Sequence, residues 1–167
     1  APLSMIDLAQ VGRDIVLPMS LLTSKEGVTG TLIGLHAESG NASWQSPSGV
    51  SGAFPVVLGD YLIYECLNPS PHLVTFKWPE REEKWSMTPA YESEPHLFWG
   101  STLLRASGGL ILYQASDGGA LNIIDHHTGQ VRLRIRAKAV LDACVYGDRC
   151  YFVTAEGQTL CVSNPLR

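Results

Sequence analysis

Asp125-His126-His127 sets a carboxylate beside two imidazoles, the residue types that hold a transition metal or pass a proton. Their spacing argues against both roles. Successive residues on a strand point to opposite faces, so regular β geometry cannot turn both rings toward one ion, and a polar turn is the expectation. His36, His72 and His96 fall at turn or strand boundaries with no carboxylate at a telling spacing, and they read as solvated or singly hydrogen-bonded. Ser24, Ser39 and Ser107 lie near glycines without the Gly-x-Ser-x-Gly setting of an activated hydroxyl, and no glycine loop with a lysine is present to cradle phosphate. No catalytic, metal or cofactor residue is assigned.

Cys66, Cys144, Cys150 and Cys161 show no Cys-x-x-Cys spacing and no accompanying histidine set, which disfavours a tetrahedral zinc site. Cys144, Cys150 and Cys161 stand in apolar, strand-like runs and are expected to be buried free thiols. A Cys150–Cys161 bridge across the last hairpin is the alternative, and it would require an oxidising compartment. With the thiols free, an intracellular address is the expectation. The triplet Asn41-Ala42-Ser43 is a glycosylation acceptor pattern of the kind that arises often by chance.

Two charged runs could meet a partner. Arg132, Arg134 and Arg136 alternate along one strand-like run and so share a face, and Glu80-Arg81-Glu82-Glu83-Lys84 has the mixed charge of a hairpin tip. Arg132, Arg134 and Glu82 are the candidate partner contacts. A solvated outer face is the simpler reading of each.

These residues must be positioned by short strands. The charged fraction is 17%, below the roughly 25% of an average soluble domain, while 16 glycines and 10 prolines supply many turns. A net charge of −4 disfavours a nucleic-acid partner, which calls for a basic face. No apolar run approaches the roughly 20 residues that span a bilayer, and Ala1-Pro2-Leu3-Ser4 does not resemble the start of a signal peptide. At 167 residues, one domain over 1–167 is the expectation.

The chain repeats. Gly12, Gly59, Gly108 and Gly147 each open a tight turn into an apolar strand, at intervals of roughly 40 to 50 residues. A second strand follows each, at 30–35, 72–76, 119–124 and 157–162. A third follows in three units, carrying Trp44, Trp85 or Leu133. Stretches 53–57, 96–99 and 140–145 supply the remaining strand of a four-stranded unit. Four short antiparallel strands per period is the pattern of a propeller blade, so the fold class is all-β, a small propeller of about four blades.

Leu121-x-Ile123-Ile124-Asp125-x-x-Thr128-Gly129-x-Val131 resembles the repeat of the pyrroloquinoline-quinone-type, or quinoprotein-like, β-propellers. In that repeat a strand ends in an Asp-x-x-Thr-Gly turn and the next strand carries a docking tryptophan. Residues 32–44 form a looser copy that keeps Gly40 and Trp44, whereas 73–85 keeps Trp85 and lacks the turn glycine. The resemblance implies structural roles for Trp44, Trp85, Asp125, Thr128 and Gly129, with each tryptophan joining one blade to the next. The fourth copy stops before any tryptophan strand. Two closures are open: Met5 to Leu8 pair with the last unit and close four blades, or a second copy or another chain completes a partial ring.

A non-catalytic interaction or scaffold module, part of a larger assembly with a protein partner, is the leading functional expectation. The alternative that the resemblance implies is a quinone-dependent dehydrogenase binding pyrroloquinoline quinone and calcium. It needs an acidic and amide ligand set and a catalytic aspartate that no motif here supplies.

Overall fold

The computed structural model describes residues 9–22, 28–46, 55–66, 72–78, 80–88, 103–114, 120–137 and 140–165. They form four antiparallel sheets, each a simple meander. The first is β1 (Ala9–Val11), β2 (Asp14–Leu22), β3 (Val28–His36) and β4 (Ala42–Gln45). The second is β5 (Val56–Leu58), β6 (Tyr61–Cys66), β7 (His72–Lys77) and β8 (Glu82–Met87). The third is β9 (Leu103–Ser107), β10 (Leu110–Gln114), β11 (Leu121–Asp125) and β12 (Val131–Ile135). The fourth has three strands, β13 (Val140–Tyr146), β14 (Arg149–Thr154) and β15 (Thr159–Ser163).

The first hairpin of every sheet is closed by the glycine that the sequence places there. Gly12, Gly59 and Gly147 have φ near +60° while their partners Arg13, Asp60 and Asp148 do not enter the left-handed region, the backbone pattern of a type II′ turn. Gly108 and Gly109 are both left-handed, as a type I′ turn requires. Each turn is then tied to the far end of the third strand by one backbone bond. Ala37 N donates to Arg13 O at 3.0 Å, Trp78 N to Asp60 O at 2.7 Å, His126 N to Gly109 O at 3.2 Å and Asn164 N to Asp148 O at 2.7 Å.

A second repeated feature sets the outermost strand. In the first three sheets the register slips beside the pairs Gly34–Trp44, Thr75–Trp85 and Ile123–Leu133, a bulge in the same place three times. The extra residue bends the outer strand locally and re-aims its side chains. Trp44, Trp85 and Leu133 thereby occupy equivalent positions.

Packing follows sheet order. One core cluster joins the first and second sheets through Val11, Val16, Leu32, Leu62, Tyr64 and Trp78. Another joins the second and third through Ile63, Leu73, Leu104, Ile111 and Tyr113. A third joins the third and fourth through Leu112, Ile123, Cys150 and Phe152. None of the three joins the fourth sheet to the first. Because the second and third sheets are covered on both sides, β6, β10 and β11 are buried over nearly their whole length.

One strand assignment changes. The innermost strand of the third sheet is Leu103–Ser107, a run with one charge and weak alternation, which sequence reasoning passed over in favour of 96–99. Residues 96–99 lie outside the described residues, as do Met5 to Leu8 and their pairing with the last unit.

Candidate functional site

The loops on one side of the first two sheets form a cleft of about 610 Å³, lined by Arg13, Asp14, His36, Glu38, Asp60 and Trp78 among others. Asp14 is the buried carboxylate in its lining. This carboxylate directly faces His36 across the β2–β3 ladder, with His36 Nδ1 2.7 Å from Asp14 Oδ1. Ser43 Oγ donates to the same oxygen at 3.3 Å, and Trp78 Nε1 donates to Oδ2 at 2.9 Å from the second sheet. His36 is thus an exposed histidine with one polar contact, as expected, and its partner is a carboxylate that sequence spacing did not indicate. The pairing depends on strand register across a long hairpin, which residue spacing alone does not reveal.

Ser43, Asp14 and His36 do not make a nucleophilic triad. The hydroxyl donates to the carboxylate, whereas an activated serine needs its hydroxyl on the imidazole. Asp14 serves as a buried acceptor that pins two sheets together.

Arg81 reaches the same junction from the β7–β8 turn. Its guanidinium donates to Ser43 O on the first sheet and lies 5.3 Å from the Trp78 ring centroid, within cation–π range. Its backbone is left-handed at φ 61°, where Gly40 and Gly129 in the equivalent turns have φ 68° and 70°. The turn without a glycine thus keeps the glycine conformation, with arginine bearing the strain.

The second junction is built by Trp85. Its indole Nε1 donates to His126 O at 2.9 Å, and its ring lies so close to Gly129 that a Cβ there would come within 2.6 Å of Trp85 Cδ2. Trp44, at the equivalent position, packs instead on Phe76 and Trp78 with ring centroids 5.2 Å and 5.6 Å away. Asp125 organises the turn beneath Trp85. Its Oδ1 accepts the amides of His127 at 2.9 Å and Thr128 at 3.3 Å, and its Oδ2 accepts from Arg132 at 2.7 Å. The Arg132 guanidinium, followed by the two amides, outweighs burial and holds the Asp125 carboxyl below its ordinary range.

His126 and His127 occupy the polar turn expected of them, but His126 is not exposed. They sit in the turn after β11, where the backbone is not extended, and their ring centroids are 3.6 Å apart. His126 is buried, with Nδ1 2.8 Å from Gly109 O, so that nitrogen carries the proton. Tyr61 meets both rings edge-on. Among the described residues no group of three or more His, Cys, Asp or Glu side chains could hold a metal ion.

The candidate partner residues are partly engaged within the chain. Arg132 is bound to Asp125, Arg134 Nε donates to Asn122 Oδ1 at 3.2 Å, and Glu82 pairs with Lys84 at 2.7 Å. Arg132 and Arg134 do share the exposed face of β12, which is the outer strand of its sheet. Among the described residues none of these contacts brings them together with Glu82.

Sequence reasoning placed the fourth sheet but missed its exposed face. Leu141, Tyr146 and Val153, respectively 59%, 79% and 42% exposed, are the exposed large hydrophobic side chains among the described residues, and all three stand on β13 and β14. Ala143, Val145, Cys150, Phe152, Leu160 and Val162 face the third sheet. By alternation Cys144, Tyr146, Tyr151, Val153 and Cys161 face away from it. Cys144 and Cys161 are consequently exposed, correcting the expectation of burial, whereas Cys150 is buried and burial pushes its thiol pKa up. All four cysteines are free, and Cys150 and Cys161 point to opposite faces, which excludes the bridge.

No family model matches the sequence, and no curated protein matches it. Solved structures do match the fold. BamB from Moraxella catarrhalis is similar at a TM-score of 0.64 with 13% identity, over 94% of this chain and 47% of that one. The computationally designed Ika4 protein is similar at 0.62 with 15% identity, over 98% and 93%. The WD40 domain of Toxoplasma gondii coronin is similar at 0.63 with 14% identity, over 93% and 42%. The chain spans about half the length of the BamB chain. With four antiparallel meanders in succession and these neighbours, the fold is a β-propeller.

Proposed function

We propose that this chain is a protein-interaction module of the β-propeller class, with its recognition surface on the outward face of the fourth sheet. One observation carries the reading: the exposed large hydrophobic side chains converge on that sheet, where an interior blade would have a neighbour. Exposed apolar groups gathered on one face mark an association surface more often than scattered ones do. Arg132 and Arg134 on β12 and Glu82 on β8 are the charged contacts of the proposal, able to orient a partner without supplying most of its affinity. The quinoprotein-like repeat type belongs to this reading. Its support is the seat of Trp85 over Gly129, the pairing that the Asp-x-x-Thr-Gly turn provides for.

The test is affinity capture with the folded chain as bait, comparing wild type with Val153→Asp and with Arg134→Glu. Proteins recovered by wild type, lost with Val153→Asp and reduced with Arg134→Glu support the assignment. Equal recovery by all three removes it.

A further inference from the structure

The propeller stacks by one rule, applied three times within this chain: the forward face of each sheet packs on the backward face of the next. At the two ends the rule is unfulfilled among the described residues. The fourth sheet's forward face carries Cys144, Tyr151, Val153 and Cys161, with Tyr151 paired to Cys144 on one side and Cys161 on the other. The first sheet's backward face carries Ile15, Leu17 and Leu35 at the places that Ile111, Tyr113 and Ile124 hold in the third sheet. Those third-sheet residues are fully buried in the junction core, whereas Ile15, Leu17 and Leu35 are half-buried and belong to none of the core clusters.

We propose that the outward face of the fourth sheet seats the outward face of the first sheet of a second copy of this chain, so that two chains make one ring. This rests on the reading of the fourth sheet as an interaction surface and names its occupant. A second copy is the occupant because the stacking rule specifies a backward blade face, and the chain presents one, aliphatic and incompletely covered, at its other end. A head-to-tail contact of this kind closes when it is used twice. Length agrees: one chain spans 47% of the BamB propeller, so two chains match one such ring. Among the described residues neither face presents a block of like charge to oppose the contact: Arg149 reaches Cys161 within the fourth sheet, and Asp142 is held by Arg105 of the third.

The purified chain tests this with no other protein present. Light scattering behind a sizing column is expected to give twice the 18.1 kDa of one chain. Val153→Asp on the fourth sheet and Leu35→Asp on the first should each weaken the dimer about tenfold or more, with the circular dichroism of the sheets retained. Thiol labelling gives a second measurement that needs no variant. Cys144 and Cys161 should react more slowly as protein concentration rises, while Cys66 and Cys150 stay protected at all concentrations. A wild-type mass of 18.1 kDa at high concentration, a dimer that survives either substitution, or labelling of Cys144 and Cys161 independent of concentration overturns the pairing. A monomer whose captured partners are nonetheless lost with Val153→Asp would end this proposal and leave the interaction reading intact.

Discussion

The first and second inter-sheet junctions use the same outer-strand tryptophan, yet they are locked in opposite ways. At the second junction Trp85 of the second sheet presses onto Gly129 and donates its indole proton to His126 O on the third sheet. At the first junction the place of His126 is taken by Trp78, whose indole donates back to Asp14, and the place of Gly129 is taken by Arg81, which reaches back to Ser43 O. In both cases the polar bonds start on the second sheet. The second sheet is therefore the keystone, and a turn that loses its glycine can retain the junction if the replacing side chain bridges it.

The largest effect that separates the junctions is expected from the tryptophans. Trp85→Ala should cost about 3–5 kcal/mol, because ring burial and the bond to His126 O vanish together. Trp44→Ala should cost less, since Trp78, Phe76 and Arg81 still bind the first junction. Urea unfolding of both variants measures the difference, and equal losses would mean that the two junctions are not distinct.

Next come the turn glycines. Gly129→Ala meets Trp85 and a left-handed backbone at once and should cost about 2–4 kcal/mol. Gly40→Ala has the same backbone with nothing within 4 Å of the added methyl, so about 1 kcal/mol is expected. The gap between them measures how tightly the indole is seated.

Asp125 gives a smaller, pH-dependent effect confined to the second junction. Because Arg132 lowers its folded pKa, Asp125 contributes stability that is present above the ordinary aspartate range and is lost as pH falls through the folded value. Asp125→Asn should be less stable than wild type at neutral pH, and the two should converge in acid. A difference that grows on acidification would reverse the sign assigned here.

The smallest effect concerns Arg81. Arg81→Gly and Arg81→Ala both remove the bridge to Ser43, but only glycine relieves the left-handed backbone. The glycine variant should be the more stable by about 1 kcal/mol, and the opposite order would show that the turn relaxes once the side chain is gone.

Much of this architecture was legible in the residues. A two-residue hairpin needs positive φ, and glycine supplies it at low cost, so Gly12, Gly59, Gly108 and Gly147 marked the repeat. The tryptophans marked the outer strands. Arg81 in a glycine conformation was not legible, because tertiary contacts across the junction override local preference. Neither was the contact of Asp14 with His36, which depends on register, nor the exposure of Cys144 and Cys161, which depends on which sheet face has a neighbour. Leu103–Ser107 escaped because a short inner strand with one arginine carries little periodicity.

The four backbone bonds from Ala37, Trp78, His126 and Asn164 to the opening turn of each sheet have a wider consequence. A tie made by amide and carbonyl alone places no demand on chemical identity, and here a methyl, an indole, an imidazole and a carboxamide hang from the same anchor point. The tie itself therefore survives a change of side chain, which leaves Trp78 and His126 able to carry junction-specific tasks while their main chains remain interchangeable.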